Sequence, residues 1–194
     1  GIIKKFVPLF ISYVRMWDRQ AALRVDKFIA NSHFVAERIK KYYKKDAEVI
    51  YPPVDTLFFK NDKKAGDYFL MVGRLISYKK FDLAVSAFNR LGLPLKIVGV
   101  GPEYAKLKKM AGLNVEFLGE MSGDELKMAY VNSKALIFPQ EEDFGLVSVE
   151  SLASGRPVIA YRAGGALEIV KDGENGIFFD EQTEDALCAA VKRF

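Results

Sequence analysis

From Tyr68 onward, short apolar segments alternate with longer segments that have helical hydrophobic periodicity. This alternation predicts a parallel sheet covered by helices on both faces, because consecutive parallel strands need a crossover connection. The predicted strands are Tyr68–Val72, Leu95–Val98, Val115–Leu118, Ala135–Phe138, Pro157–Ala160 and Gly176–Phe179. Helices are predicted at Lys80–Arg90, Glu103–Ala111, Gly123–Asn132, Leu146–Ala153, Ala166–Val170 and from Thr183 onward. The expected fold class is therefore α/β, a doubly wound parallel sheet that binds ligands at the carboxyl ends of its strands.

Residues 1–53 lack this regular alternation. Their predicted elements are a helix over residues 3–24, a short strand within Val25–Ala30, a helix from about His33 to Tyr43 that is capped by Asn31-Ser32, and a strand at Glu48–Tyr51. Pro52-Pro53 ends this region, since proline stops both helix and sheet. We therefore place a domain junction near Pro53, with residues 54–66 as a polar, irregular connection. Residues 1–53 and 54–194 form the two predicted parts.

The formal net charge of +4 is unevenly distributed along the chain. Residues 1–64 carry 14 Lys and Arg against 7 Asp and Glu, whereas residues 65–194 carry 15 against 18. A basic region can bind nucleic acid or an anionic membrane. No base-reading motif or aromatic spacing of a nucleic-acid module is present, so nucleic acid is not an expected partner. The basic helix at residues 33–45 is interpreted first as a solvated face and second as a contact with an anionic membrane.

Other sequence features exclude several classes of protein. Cys188 is the single cysteine, which excludes an internal disulfide and fits a reducing, cytoplasmic compartment. One His and one Cys give no metal-ligand spacing, so no metal is expected, and His33 is interpreted as a surface residue. Phe6, Phe10, Tyr13 and Trp17 follow helical spacing, which predicts buried packing.

The amino-terminal segment has the outline of a signal peptide, because Lys4-Lys5 precede an apolar run. That run contains Pro8, has no small-residue cleavage site after it and is too short to span a bilayer. We therefore expect neither a targeting segment nor a transmembrane helix. The first residue is Gly, which suggests a fragment or a processed chain.

The stretch Pro139–Glu150 follows a buried strand and leads into a helix, and it combines several groups suited to a ligand. Glu142 is expected on the turn and Glu150 within the helix, while Gly145 permits a close backbone approach. The N–H groups of about residues 145–147 begin the helix without intrahelical partners and attract an anion or an oxygen-rich ligand. Two carboxylates beside a helix amino terminus suit a polyhydroxylated phosphoester. A solvated acidic loop with an ordinary surface Glu explains the same residues equally well.

Two cations follow the first strand of the predicted sheet. Arg74 and Lys79 can reach one point from a strand-end loop and a helix start, and a diphosphate requires such a pair. They would also stabilise a departing phosphate. Taken alone, they are better explained as two surface cations. Their position at the same predicted sheet edge as Glu142 and Glu150 reverses that judgement.

The turn Gly99-Val100-Gly101-Pro102 partly resembles a dinucleotide fingerprint. The third glycine is missing, because position 104 is Tyr, and the turn follows the second strand of the sheet instead of the first. A tight turn that brings backbone close to a ligand explains these glycines equally well. The turn is therefore only a weak indication of NAD binding.

Together, these segments form the motif set of a known family. The motifs are Val72-Gly73-Arg74-Leu75 with Lys79, the Gly99-x-Gly-Pro turn, Glu142-x7-Glu150 around Phe144-Gly145, and the tail segments at 153–160, 164–170 and 172–176. From about Phe28 onward the chain resembles the retaining glycosyltransferases of family 4, which have the GT-B fold with Rossmann-like domains. Residues 16–55 resemble the mannosyltransferase branch that builds O-antigen and similar surface polysaccharides.

The resemblance implies a nucleotide-diphosphate-sugar donor, with no cofactor and generally no metal. It assigns Arg74 and Lys79 to the diphosphate, Glu150 to the ribose and Glu142 to the sugar hydroxyls. The implied donor contacts also include Gly73, Gly99, Gly101, the base-contacting backbone near Leu118-Gly119, and the backbone N–H groups of Phe144, Gly145, Leu146 and Val147. Transfer would proceed with retention, by attack on the same face as the leaving phosphate. The implied acceptor is a saccharide or a lipid-linked saccharide.

The chain departs from the family pattern in two respects. Lys80 stands where the family usually has Gly, which alters the loop that aims Lys79. The acceptor-binding domain is represented only by its last elements, over about residues 1–52, and the helix that normally crosses back is expected to be missing after Phe194. Since the family's site lies between two domains, we expect weak donor binding and no turnover by this chain alone.

Alternatives at this stage are a UDP-sugar-dependent transferase of the same family, a dinucleotide-binding oxidoreductase domain and a non-catalytic module that binds membranes through residues 33–45. Titration with NAD against GDP, GDP-mannose and UDP separates the oxidoreductase from the transferase, and sedimentation with anionic vesicles tests the membrane-binding module.

Overall fold

The computed structural model describes residues 2–61 and 64–194, with side chains from Val7 onward. The chain divides into two units, Gly1–Tyr51 and Pro52–Phe194. The first unit contains α1 (Ile2–Ala22), β1 (Phe28–Ala30), α2 (His33–Tyr43) and β2 (Ala47–Val49). The second contains α3 (Thr56–Phe59), β3 (Tyr68–Val72), α4 (Phe81–Leu91), β4 (Leu95–Val98), α5 (Tyr104–Met110), β5 (Val115–Gly119), α6 (Gly123–Val131), β6 (Ser133–Phe138), α7 (Leu146–Ala153), β7 (Val158–Tyr161), α8 (Ala166–Ile169), β8 (Gly176–Phe179) and α9 (Glu184–Arg193).

In the first unit, β1 and β2 form a parallel pair in which Phe28 is opposite Ala47. The predicted cap of α2 is present, because the Val35 N–H donates to Ser32 Oγ at 3.1 Å. His33 lies in the first turn of α2 and is exposed, as predicted.

The prediction of buried packing for the aromatic residues of α1 is wrong where the structure tests it. Phe10, Tyr13 and Trp17 are 68%, 65% and 61% exposed, and Phe6 lies outside the described side chains. Helical spacing aligns side chains on a helix, but burial also requires an opposing surface. In the described part of this unit, no element covers those three rings. No helix in the described part of the chain has the length and apolarity needed to cross a membrane.

The second unit contains a six-stranded parallel sheet with the strand order β5-β4-β3-β6-β7-β8. This confirms the predicted α/β fold, and each predicted strand is present with ends that shift by at most two residues. The strands are added outward in one direction from β3 to β5 and in the other from β6 to β8. The topological switch point therefore lies between β3 and β6, where the carboxyl ends of the strands open a crevice.

Two apolar clusters cover the two faces of this sheet. Along β3, Phe69 and Met71 belong to the cluster that includes α4 and α9, whereas Leu70 belongs to the cluster that includes α6. The alternation arises because successive strand side chains point to opposite faces. Both faces are buried, which explains why the strands read as continuous apolar runs.

The predicted irregular connection at residues 54–66 contains the short helix α3, which the sequence interpretation missed. Asp55 caps it by accepting the Phe58 N–H at 2.9 Å, and Phe59 is buried in the cluster that includes Tyr130. The polar residues around α3 outweighed its apolar ones in the sequence pattern. Burial of Phe59 against the sheet layer supplies the stability that so short a helix lacks by itself.

Candidate active site

The residues assigned to a ligand follow β3, β4, β5 and β6, which are neighbours in the sheet. Because these strands are parallel, their carboxyl ends meet at one edge. The structure brings most of the assigned residues together in two adjoining groups, whereas Glu150 lies within α7 and contacts Tyr130 of α6. One group surrounds a cavity at the ends of β3, β4 and β5, and the other lies at the switch point between β3 and β6.

The first group is held together by direct backbone contacts between glycines. A Cβ atom at Gly99 would lie 2.0 Å from the carbonyl oxygen of Gly73, and one at Gly101 would lie 2.4 Å from that of Leu75. The N–H of Gly99 donates to the carbonyl of Gly119 at 2.6 Å. Gly99 and Gly101 are therefore required by strand-end packing, which accounts for the partial dinucleotide fingerprint without a nucleotide.

A cavity of about 430 Å³ opens beside these turns. We call it the glycine cavity; its lining residues are Val72, Gly73, Arg74, Val98, Gly99, Val100, Gly101, Glu120 and Met121. Leu118 and Gly119 end β5 directly before the last two of these residues. Arg74 is exposed and is the lining residue with a positive charge. The cavity thus combines the guanidinium of Arg74, the carboxylate of Glu120 and the backbone of glycines, which carry no side chains.

The second group contains an ion pair between two of the assigned residues. Lys79 ends the 3-10 helix Ser77–Lys79, and its Nζ lies 2.9 Å from Oε1 of Glu142. The two side chains are only 16% and 19% exposed. A Cβ atom at Gly73 would lie 3.2 Å from Lys79 Nζ, so Gly73 touches both groups. A cation that follows β3 and an acid that follows β6 therefore converge at the switch point.

The loop that carries Glu142 is held in place by contacts with Gln140 and with Gly165. Gln140 is buried, and its Nε2 lies 3.4 Å from Glu142 Oε1. The Gly165 N–H donates to the Glu142 carbonyl at 2.8 Å, which connects the loop to the start of α8. A Cβ atom at Gly165 would lie 2.5 Å from Phe144 Cα, so this contact also requires glycine. The ring of Phe144 is buried.

The amino terminus of α7 follows this loop directly. Gly145 precedes Leu146 and Val147 with φ of +101°, and no side chain caps the helix. A Cβ atom at Gly145 would lie 2.9 Å from the ring of Phe138, so both the φ angle and the close packing require glycine. The first N–H groups of α7 consequently lie on the same loop as Glu142, where their partial positive charge suits an anion or a hydroxyl oxygen.

Glu150 lies one turn into α7 and has a partner that the sequence interpretation missed. Tyr130, a fully buried residue of α6, donates its O–H to Glu150 Oε2 at 2.7 Å. Burial raises the pKa of Glu150, and the hydrogen bond from Tyr130 opposes this by favouring the charged form. Burial also raises the pKa of Tyr130 well above its usual value, which keeps the phenol a donor. Tyr130 fits the apolar pattern of α6, so no signal in the sequence distinguishes it from ordinary core.

Among the described residues, no group of three or more His, Cys, Asp and Glu side chains is arranged to hold a metal ion. The expectation that the protein needs no metal stays a prediction.

Because the family resemblance assigns Glu150 to the ribose of a nucleotide, we expect Tyr130→Phe to make nucleotide binding more sensitive to acid. Loss of the hydrogen bond raises the pKa of Glu150 further, and the carboxylate loses its charge as the pH falls through that pKa. The pH at which GDP affinity is half lost therefore moves upward. Calorimetric titration over a pH series measures this shift. Tyr68→Phe is the matched control, because it removes a phenol bond to the Ala129 carbonyl on the same face; equal shifts in both variants would contradict the prediction.

Lys80, the departure from the family pattern, has φ of 56° and ψ of 34°, in the left-handed region that favours glycine. Lys80→Gly keeps the backbone bond from its N–H to the Ser77 carbonyl and removes the Cβ strain. We expect the free energy of unfolding to rise by about 1 kcal/mol. Urea denaturation measures it. Lys60→Gly, at φ of −53°, is the control and should not stabilise the protein; a less stable Lys80→Gly variant would refute the strain argument.

Comparison with known proteins gives consistent results over the whole chain. Residues 54–194 match the family model described as glycosyl transferases group 1, and residues 2–57 match the model described as glycosyltransferase family 4. An uncharacterised glycosyltransferase of Methanocaldococcus jannaschii is 32% identical over 180 residues, which cover 89% of this chain and 50% of that protein. The O-antigen chain mannosyltransferase of Salmonella typhimurium is 27% identical over 197 residues, which cover 93% and 54%.

Among solved structures, Anabaena HepE in complex with UDP and glucose has a TM-score of 0.78 at 21% identity, over 87% of this chain and 53% of that one. That likeness establishes the fold, which is the α/β architecture of the GT-B glycosyltransferases. The chain spans about half the length of these three proteins. Since the group 1 model covers nearly three-quarters of the sequence, including every strand of the six-stranded sheet, the chain belongs to the group 1 family of glycosyl transferases.

Proposed function

We propose that this protein transfers a hexose from a nucleotide-diphosphate sugar and that residues 54–194 are its donor-binding, C-terminal domain. The observation that carries the proposal is the Lys79–Glu142 ion pair at the switch point. It places a cation suited to phosphate and a carboxylate suited to sugar hydroxyls within one ion-pair distance. In a nucleotide-diphosphate sugar, the bond that breaks joins the phosphate, which Lys79 would bind, to the sugar, which Glu142 would bind.

The rest of the donor has matching groups on either side of this pair. The glycine cavity, beyond Arg74, accommodates the base and the proximal phosphate, and Glu150 accepts hydrogen bonds from the ribose. Neighbouring strands are about 4.8 Å apart, so the edge from β5 to β7 spans roughly 19 Å. This length suits an extended nucleotide-diphosphate sugar. Glu142 and the amino terminus of α7 would hold the sugar.

In this proposal catalysis is chiefly stabilisation of the leaving diphosphate. Lys79 and Arg74 face the charge that develops when the glycosidic bond breaks, which lowers the barrier more than it favours the ground state. Glu142 orients the sugar through its hydroxyls. The sugar is transferred with retention by same-face attack, in which the leaving phosphate takes the proton of the acceptor hydroxyl. No metal or cofactor takes part.

For the donor we propose GDP-mannose, and for the acceptor a saccharide or lipid-linked saccharide in surface polysaccharide synthesis. The similarity to an O-antigen chain mannosyltransferase supports mannose and this role. A UDP-sugar donor is the alternative, which the UDP and glucose bound to Anabaena HepE favour. Membership of a glycosyltransferase family argues against the oxidoreductase alternative, as does the structural account of Gly99 and Gly101.

We further propose that residues 1–53 are the last part of an acceptor-binding domain, which the family 4 match over residues 2–57 supports. This chain by itself then binds donor weakly and does not turn over. The proposed location is cytoplasmic, with peripheral contact between the basic helix α2 and anionic lipid. Sedimentation with phosphatidylserine vesicles checks that contact, and a robust transferase assay of this chain alone would overturn the expected inactivity.

Calorimetry with GDP-mannose, GDP, UDP-glucose, UDP and NAD⁺ tests the proposed function. We expect binding of a nucleotide-diphosphate sugar and of its nucleoside diphosphate, with the sugar adding affinity that Glu142→Ala removes. A preference for NAD⁺ over all four other ligands would refute the proposal. A preference for UDP-glucose would keep the transferase and replace the donor.

A further inference from the structure

Glu120 is a carboxylate in a part of the site that must receive a polyanion. It lines the glycine cavity together with Met121 and Arg74. Gly119, at φ of 76°, turns the chain immediately before it, at the end of β5. Glu120 is three strand positions away from the acidic loop of β6, because β4 and β3 lie between β5 and β6. It therefore faces the end of the donor opposite to the sugar.

The carboxylate of Glu120 is available to a ligand. Its side chain is exposed, and among the described residues it makes no ion pair or hydrogen bond. Two carboxylates nearby in sequence differ in this respect, since Glu103 pairs with Lys106 at 3.1 Å and Glu116 with Lys96 at 3.2 Å. A free carboxylate repels a diphosphate. Its presence in the cavity is compatible with donor binding only where it meets hydrogen-bond donors. On a nucleotide these are the ribose hydroxyls, which the proposed site assigns to Glu150, and the N–H groups of the base, which are left for Glu120.

The nucleobases differ in what they offer such a carboxylate. The pairing edge of guanine presents two adjacent donors, N1–H and N2–H, which match the two acceptor oxygens of a carboxylate. Uracil presents one donor, N3–H, between two carbonyl oxygens that a carboxylate repels. Adenine presents one donor beside an acceptor nitrogen. A carboxylate at this edge therefore favours guanine.

We propose that Glu120 is a specificity-determining residue that selects a guanine nucleotide by accepting N1–H and N2–H, while Met121 provides an apolar contact for the ring. This inference rests on the proposed donor site and names the residue that would select a guanosine-diphosphate sugar over a uridine-diphosphate sugar.

The test compares GDP and UDP affinities by calorimetry in the wild-type protein, Glu120→Gln and Glu120→Ala. A glutamine offers one acceptor and one donor, which match N3–H and O4 of uracil. We expect Glu120→Gln to lower GDP affinity and raise UDP affinity, so that the ratio of the two falls about tenfold or more. Glu120→Ala should lower the affinity for GDP without raising the affinity for UDP. Glu125→Gln, an exposed carboxylate change on α6 outside the cavity lining, is the control and should leave the ratio unchanged.

Each outcome decides the inference. A wild-type preference for GDP that collapses in Glu120→Gln and persists in Glu125→Gln supports it. A wild-type protein that prefers UDP, or a GDP preference that survives in Glu120→Gln, overturns it and leaves the donor site standing. A wild-type protein that binds no nucleotide overturns the proposed function and this inference together. Unchanged circular dichroism spectra of the variants exclude misfolding as the cause of any loss.

Discussion

Lys79→Ala is expected to lower the affinity for GDP-mannose by about 10- to 100-fold, since a hydrogen bond to a charged group contributes about 1.5–3 kcal/mol. The loss has two sources. The diphosphate loses a cation that is only 16% exposed and therefore poorly screened by water. Glu142, at 19% exposure, also loses its partner and adds an unbalanced negative charge to a site for a polyanion. Calorimetric titration of the variant measures the effect.

Lys80→Ala is the matched control for this prediction. It removes the same charge one residue away, and among the described residues Lys80 makes no ion pair. We expect its affinity for GDP-mannose to stay within about threefold of the wild-type value, because Lys80 is only half-buried and a lysine without a carboxylate partner contributes little. Equal losses in the two variants would show a general electrostatic effect of the loop and would contradict a specific role for Lys79.

Glu142→Gln extends the same argument to the sugar. The substitution releases Lys79 from its ion pair, so GDP should bind at least as tightly as it binds the wild-type protein. GDP-mannose should lose the additional affinity that its sugar contributes. The difference between the two ligands is informative because a distorted site would weaken both. A parallel loss for GDP and GDP-mannose would place Glu142 on the phosphates instead of the sugar.

Gly99→Ala is expected to reduce the free energy of unfolding by about 3–5 kcal/mol, a large part of the total stability of a domain. The new Cβ would lie 2.0 Å from the carbonyl oxygen of Gly73, and φ of +132° is a conformation that only glycine adopts readily. This steric clash can be relieved only if β3 and β4 separate at their carboxyl ends, where the glycine cavity begins. Nucleotide binding should therefore be lost together with stability.

Gly92→Ala separates the two causes of that loss. Gly92 also has a positive φ, +67°, but a Cβ atom there would have nothing within 4 Å. We expect it to cost about 1 kcal/mol, from backbone strain alone. Urea denaturation of both variants provides the comparison. If Gly99→Ala were as mild as Gly92→Ala, the close contact between the ends of β3 and β4 would not be the reason for glycine at position 99.

Much of the second unit was predictable because its strands are buried on both faces. Leu70 and Met71 pack in opposite directions, so β3 had to be apolar throughout, and its length distinguished it from a helix. The same holds for Leu136 and Ile137 in β6. The parallel order of the strands alone placed Arg74, Lys79 and Glu142 at one sheet edge.

Side-chain partners were less predictable. The sequence interpretation assigned Lys79 and Glu142 to different parts of one donor and did not pair them with each other, and it gave Glu150 no partner in α6. Tyr130 packs in apolar surroundings but has a polar hydroxyl group. Hydrophobic periodicity predicts the packing and does not predict the hydrogen bond of the hydroxyl. The exposure of Phe10 and Trp17 was missed for a related reason, since hydrophobicity shows that a face prefers burial and not that another surface covers it.

The periodicity and motifs of the chain were enough to establish the α/β layer order, the family and the edge of the sheet at which the assigned residues meet. Those properties depend on periodicity and chain connectivity, which are local and repeated. The folded chain was needed to establish the Lys79–Glu142 and Tyr130–Glu150 contacts, the left-handed backbone at Lys80 and the carboxylate in the glycine cavity. Each of these depends on the distance between residues of different strands and loops, and that distance is set by how the whole sheet twists and packs.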